Sequence, residues 1–215
     1  MWEGVAARLR SDGHEVVVAR LPPGSHTVDR ARAGYLAALP DGPVVLVPHS
    51  NAGLYVAGLA ASRGDDVRGM VFCDALLPGP GERTPTTSSG FRDFLSSRAD
   101  ADGMLPPWTR WWPEEEVAAL VPDAATLKAL RVGEPRLPLS YFEETVPTPA
   151  GWAARPASYL AFGDTYEQER AEAEHRGWPV VTLPGRHLHP LVDPSGVTGA
   201  LGRLLGGLGI VNEFP

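Results

Sequence analysis

Short runs of β-branched and apolar residues alternate along this chain with segments whose apolar positions recur every three or four residues. A mostly parallel sheet with helices on its faces produces that pattern, because its strands are buried on both sides and its crossovers are amphipathic helices. Five strands are expected, at residues 15–21 (EVVVARL), 43–49 (PVVLVPH), 67–75 (VRGMVFCDA), 157–163 (ASYLAFG) and 179–183 (PVVTL). Helices are expected at 2–10, 28–38, 52–62, 166–176 and 195–205, each entered or left through Gly, Pro, Ser or Asp. From 77 to 152 the alternation stops, and proline-rich sequence with short helical pieces carries Phe91, Phe94, Trp108, Trp111, Trp112, Tyr141 and Phe142. That is more apolar surface than a connecting loop needs. The expectation is one α/β domain over 1–215 with a helical lid, 77–152, inserted after the third strand. Trp108, Trp111 and Trp112 are then candidates to line a small-molecule pocket, the alternative being that the aromatics pack only against one another.

The segment 44–53, VVLVPHSNAG, is where chemistry is expected. A buried strand that turns sharply into a helix holds its tip residue in a strained conformation, and small residues after the tip let the backbones pass. Ser50 occupies the tip, and Ala52 and Gly53 supply the small residues. Pro48 stands where the G-x-S-x-G pattern has glycine, so the match is partial. The competing role for Ser50 is to cap the helix that follows.

With 215 residues the chain has enough length for one substantial core. A net charge of −7 and the absence of a basic stripe argue against nucleic acid or an anionic membrane surface as a partner. A single cysteine, Cys73, allows no intrachain disulfide, which makes the cytoplasm the expected compartment. No apolar run approaches the roughly 18 residues of a membrane span, and no charged-then-apolar leader begins at Met1. The histidines lack metal-site spacing, so neither metal nor cofactor is expected.

The order of elements, with YFEETVPTPAGW, YLAFGDTYEQE, RGWPVVTLPG and HLHPLVDP in the second half, resembles the α/β-hydrolase family over essentially the whole chain. The resemblance is to its lidded branch of plant-type esterases, hydroxynitrile lyases and many actinobacterial hydrolases. In that family the chain order is nucleophile, acid, histidine, which implies Ser50, Asp164 and His187 here. Asp74 is the alternative acid, because some members place theirs after the earlier strand. Asp164 could instead cap the helix that follows it. His189 is the alternative base, or a residue lining the pocket. His49 matches a structural histidine beside the nucleophile, and the N–H of Asn51 corresponds to one oxyanion donor.

What the resemblance implies is a serine hydrolase of a small, largely apolar ester, thioester or lactone. A lyase, cyclase or acyl transferase of specialised metabolism on the same fold is the enzyme alternative. A ligand-binding pseudohydrolase is the alternative without catalysis. The resemblance also implies a strand before the helix at 2–10, ending in a loop that gives a second oxyanion donor. Three explanations for its absence compete: a start assigned too late, direct pairing of 15–21 with 44–47, or loss of catalysis. The first is expected.

Overall fold

The computed structural model describes residues 1–209. Two helices open the chain, α1 (Glu3–Ser11) and α2 (Val28–Ala38). The strand expected at 43–49 follows in two pieces, β1 (Val44–Leu46) and β2 (His49–Ser50). A 3₁₀ turn (Asn51–Tyr55) leads into α3 (Val56–Arg63), and β3 (Val67–Ala75) comes next. The stretch that breaks the alternation contains β4 (Arg83–Pro85), α4 (Ser89–Ser96), α5 (Glu114–Ala118), α6 (Ala124–Arg131) and β5 (Thr145–Pro147). The main fold resumes with β6 (Ala157–Phe162), α7 (Glu167–His175), β7 (Val180–Leu183), α8 (His189–Val192) and α9 (Pro194–Gly207).

The main sheet runs β1–β3–β6–β7, with β2 also on β3, and every pairing is parallel. Its central strands are sealed on both faces, as continuous apolar strands require. Met70 and Phe72 of β3 pack with Val28, Leu54 and Val56 from α2, the 3₁₀ turn and α3. Val71 and Cys73, one residue out of step, pack with Val5 of α1 and with Val197, Ala200 and Leu201 of α9. Capping sets where helices begin. The Thr27 hydroxyl accepts from Arg30 N–H ahead of α2, and Asp193, followed by Pro194 at the first helical position, accepts from Gly196 N–H at 2.8 Å.

Two expected strands come out differently. Residues 15–21 join no ladder among the described residues, so the direct pairing with 44–47 is not formed. The segment forms no regular element and is mostly exposed, tied to α1 by the Arg10 guanidinium donating to Val16 O and by an Arg20–Glu3 ion pair. Alternating apolar residues favour an extended backbone, but a strand also needs a neighbour to accept its ladder, and β1 ends the sheet on its outer side. The strand expected at 43–49 is interrupted at 47–48. Pro48 has no N–H for the ladder, although its carbonyl still accepts from Cys73 N–H at 2.9 Å. A register shift falls between His49 and Ser50. Among the described residues no helix is long and apolar enough to cross a membrane.

Between β3 and β6, β4 and β5 form a two-stranded antiparallel sheet. Phe91, Phe94, Trp108 and Trp112 pack on the main core beside the buried Trp111 and Phe142, while Val117, Val121, Leu127 and Leu188 form a separate small cluster.

Candidate active site

Ser50 ends β2 at φ 58° and ψ −133°, a conformation that a serine adopts only when its surroundings impose it. The imposing contact is close. A Cβ on Gly53 would stand 1.9 Å from the carbonyl oxygen of Leu76, so the turn after Ser50 lies directly against the chain leaving β3. Ser50 makes no capping bond to the helix that follows, which removes the competing role for it. The first turn after it is 3₁₀ rather than α, so the regular helix starts at Val56 and not near Ala52.

Asp74 sits beside this elbow at the end of β3, also at positive φ, 44°. Its side chain is fully buried and both oxygens are used. Oδ1 accepts from Phe162 N–H at 3.1 Å, and Oδ2 accepts from His187 Nδ1 at 2.7 Å. The Tyr159 hydroxyl fixes the next peptide, accepting from Ala75 N–H at 3.0 Å and donating to Ala75 O at 2.8 Å. Asp164, the acid expected from chain order, is elsewhere. Its side chain is 82% exposed and 3.8 Å from Arg170, against 0% exposure for Asp74. Nor does it cap α7: the N-cap is Tyr166, and no hydrogen bond from the first turn to Asp164 occurs among the described residues. The carboxylate beside the His187 imidazole is therefore Asp74, where chain order pointed to Asp164. The physical reason is position: Asp74 lies within β3 and bonds to His187, whereas Asp164 lies beyond the end of β6, in a turn that carries it out to solvent.

His187 comes from the turn after β7, and its side chain is 13% exposed. A carboxylate can only accept, so the bond to Asp74 puts a proton on Nδ1, and in the neutral ring the lone pair then lies on Nε2. His49 stacks on His187 with ring centroids 4.4 Å apart, and its Nε2–H donates to the His187 carbonyl at 3.0 Å. Burial holds the His49 imidazole well below its usual range, with the neighbouring His187 acting in the same direction. A neutral ring thus supports the backbone of His187. His189 opens α8, buried against Phe162 at 5.5 Å, with no bond to a carboxylate among the described residues.

His49, Asp74 and His187 each present a ligand atom within 4.8 Å of the others, a grouping of the kind that could hold a metal ion and one that histidine spacing did not foretell. The existing bonds already occupy these atoms: a cation at Asp74 Oδ2 and His187 Nδ1 would displace the proton they share.

Asn51, next to Ser50, is anchored through its side chain. Its amide donates to Thr86 O at 2.9 Å, and its Oδ1 accepts from the Tyr141 hydroxyl. Tyr141 also shares a 2.9 Å bond with the Tyr55 hydroxyl, and Thr86 Oγ1 donates to Tyr141 O at 3.0 Å. Burial pushes the Tyr141 hydroxyl up to about 12, so it stays a donor. Thr86 and Tyr55 were not singled out from the sequence, and Tyr141 was read there only as one of the aromatics of the inserted segment. A hydroxyl in an apolar stretch must find a partner when buried, and that was the available signal for Tyr141.

Of the three expected pocket tryptophans, Trp108 stands 6.5 Å from the His187 ring and Trp112 stands 5.0 Å behind it. Trp111 is buried with its indole N–H on Pro106 O and its ring on Phe142. Its position is in the packing of the segment rather than on the histidine.

No family model matches the sequence, and no curated protein matches it. Solved structures do. An extracellular α/β-hydrolase from a Paenibacillus species, described as sharing structural and functional homology with tobacco salicylic acid binding protein 2, is 16% identical with a TM-score of 0.73, covering 94% of this chain and 92% of that one. Polyneuridine aldehyde esterase is 19% identical at a TM-score of 0.65, with the same coverage of 94% and 92%. Tomato methylketone synthase I in complex with 2-tridecanone is 16% identical at 0.68, covering 96% and 93%. At this identity the likeness concerns the fold: the chain has the α/β-hydrolase fold.

Proposed function

We propose that this chain is a serine hydrolase that cleaves a small, largely apolar ester, thioester or lactone through an acyl-enzyme, without a cofactor. The observation that carries this reading is a serine strained at an elbow directly after His49, whose ring stacks on His187, with the His187 Nδ1 bonded to a buried carboxylate. Ser50 is the nucleophile, His187 the base and then the acid, and Asp74 the group that holds the imidazole in its working tautomer. The Asn51 N–H is the oxyanion donor, and the Thr86 and Tyr141 bonds to its side chain keep that peptide from turning. Residues 77–152 act as the lid. Trp108, backed by Trp112, is its apolar wall next to His187, which favours an apolar acyl or alcohol group over a charged one.

The direct test is covalent labelling of Ser50 by a fluorophosphonate, combined with turnover of p-nitrophenyl esters of increasing chain length. Labelling that is lost in Ser50→Ala supports the reading. A native, folded protein that neither labels nor turns over any ester sinks it. The cytoplasm is the compartment proposed, on the single buried and unpaired Cys73, and cell fractionation checks it.

A further inference from the structure

The hydrogen bond that Ser50 Oγ makes is to the Tyr166 hydroxyl, at 3.0 Å, and among the described residues none joins it to His187. Tyr166 is delivered by the turn between β6 and α7. That turn is pressed onto the loop that carries His187: Gly163 has φ +70°, and a Cβ there would stand 2.5 Å from Gly185 O. The Tyr166 ring is 5.4 Å from the His187 ring. Its phenol therefore bonds Ser50 from a turn packed closely against the loop that carries His187.

We propose that Tyr166 is a further catalytic residue, whose phenol donates a hydrogen bond to Ser50 Oγ and keeps its own proton throughout acyl transfer. The inference rests on the serine-hydrolase reading. The direction of the bond follows from the chemistry. Ser50 has one proton and must send it to His187 Nε2, so it turns a lone pair toward Tyr166. In acylation the Oγ–C bond forms as that proton passes to Nε2, and the carbonyl π pair becomes the oxyanion. The bond to the leaving group then breaks, and the leaving atom takes the proton from His187. In deacylation a water gives its proton to Nε2 and attacks the acyl carbon, after which the Oγ–C bond breaks and Oγ recovers a proton from His187.

Oγ carries partial negative charge twice, on entering and on leaving. A fixed donor binds that charge more strongly than it binds the resting hydroxyl, which is the condition for lowering the barrier. Burial pushes the Tyr166 hydroxyl up to about 12, against the lowering effect of its bond to Ser50. The phenol is thus a donor across the neutral range.

Tyr166→Phe removes the donor and keeps the ring. The expected result is a fall in both fluorophosphonate labelling and kcat, on the order of 10²-fold as for other preorganised donors, with KM and thermal midpoint nearly unchanged. Replacing Tyr166 by a fluorinated tyrosine, whose hydroxyl is more acidic, should move the alkaline limb of kcat toward neutral pH. A purely structural hydroxyl would not move it. Wild-type protein that labels at Ser50, beside a Tyr166→Phe variant that labels and turns over as fast or faster, overturns the role of Tyr166 alone. Wild-type protein that does not label fails at the hydrolase reading instead.

Discussion

Asp74 lies near the end of β3 and Asp164 in the turn just after β6, and replacing them in turn separates their roles. Asp74→Asn should leave KM close to wild type and lower kcat by about 10⁴-fold, the order seen when a triad loses the group that fixes its tautomer. Asp164→Asn, at an exposed position, should change kcat by less than about twofold; steady-state kinetics on one activated ester decides between them. The sequence held a signal for Asp74 that chain order obscured. It closes VRGMVFCDA, a run of the kind buried on both faces, and a carboxylate there has to be bonded. His49 offers a second test at this scale. Its buried ring resists protonation while the unfolded chain takes up a proton below the ordinary histidine value, so the unfolded state binds more protons there. Stability is then retained above about pH 6.5 and lost as pH falls below it. The slope is at most about 1.4 kcal/mol per pH unit from this group. His49→Gln should flatten urea-unfolding stability between pH 7 and 5, and equal slopes in the two proteins would refute the assignment.

Elements that carry their own burial pattern were legible, and those that depend on a neighbour were not. Residues 67–75 read as a strand and form β3, and 28–38 read as a helix and form α2, because continuous apolar runs and 3.6-residue spacing each have one good solution. Residues 15–21 have a strand pattern and no ladder partner, and pairing is a property of two segments. The elbow was legible through its small residues, whose purpose is measurable. Gly53→Ala would drive a methyl group into Leu76 O and should destabilise the fold by about 1–3 kcal/mol or more. It should also reduce labelling of Ser50. Chemical denaturation showing a change within a few tenths of a kcal/mol would mean that the two backbones have room to separate.

Across the whole molecule the burial is uneven. Met70, Val71, Phe72 and Cys73 of β3, with Tyr159, Leu160 and Phe162 of β6, are inaccessible to solvent, whereas the cluster under α5 and α6 gathers only a few buried side chains. Amide hydrogen exchange should follow this difference, with β3 and β6 opening only in global unfolding and 114–131 exchanging earlier. Uniform protection over both regions would show that the inserted segment unfolds with the sheet. One further property follows from the backbone of Ser50 and Asp74, which stand on adjacent strands and are the non-glycine residues at positive φ among those described. Each misfit conformation costs roughly 1–3 kcal/mol, and Gly would relieve it. A lineage kept only for heat resistance, with no demand on its chemistry, should therefore drift toward Gly at position 50 early. Retention of Ser there under such selection would itself be a record of continued use.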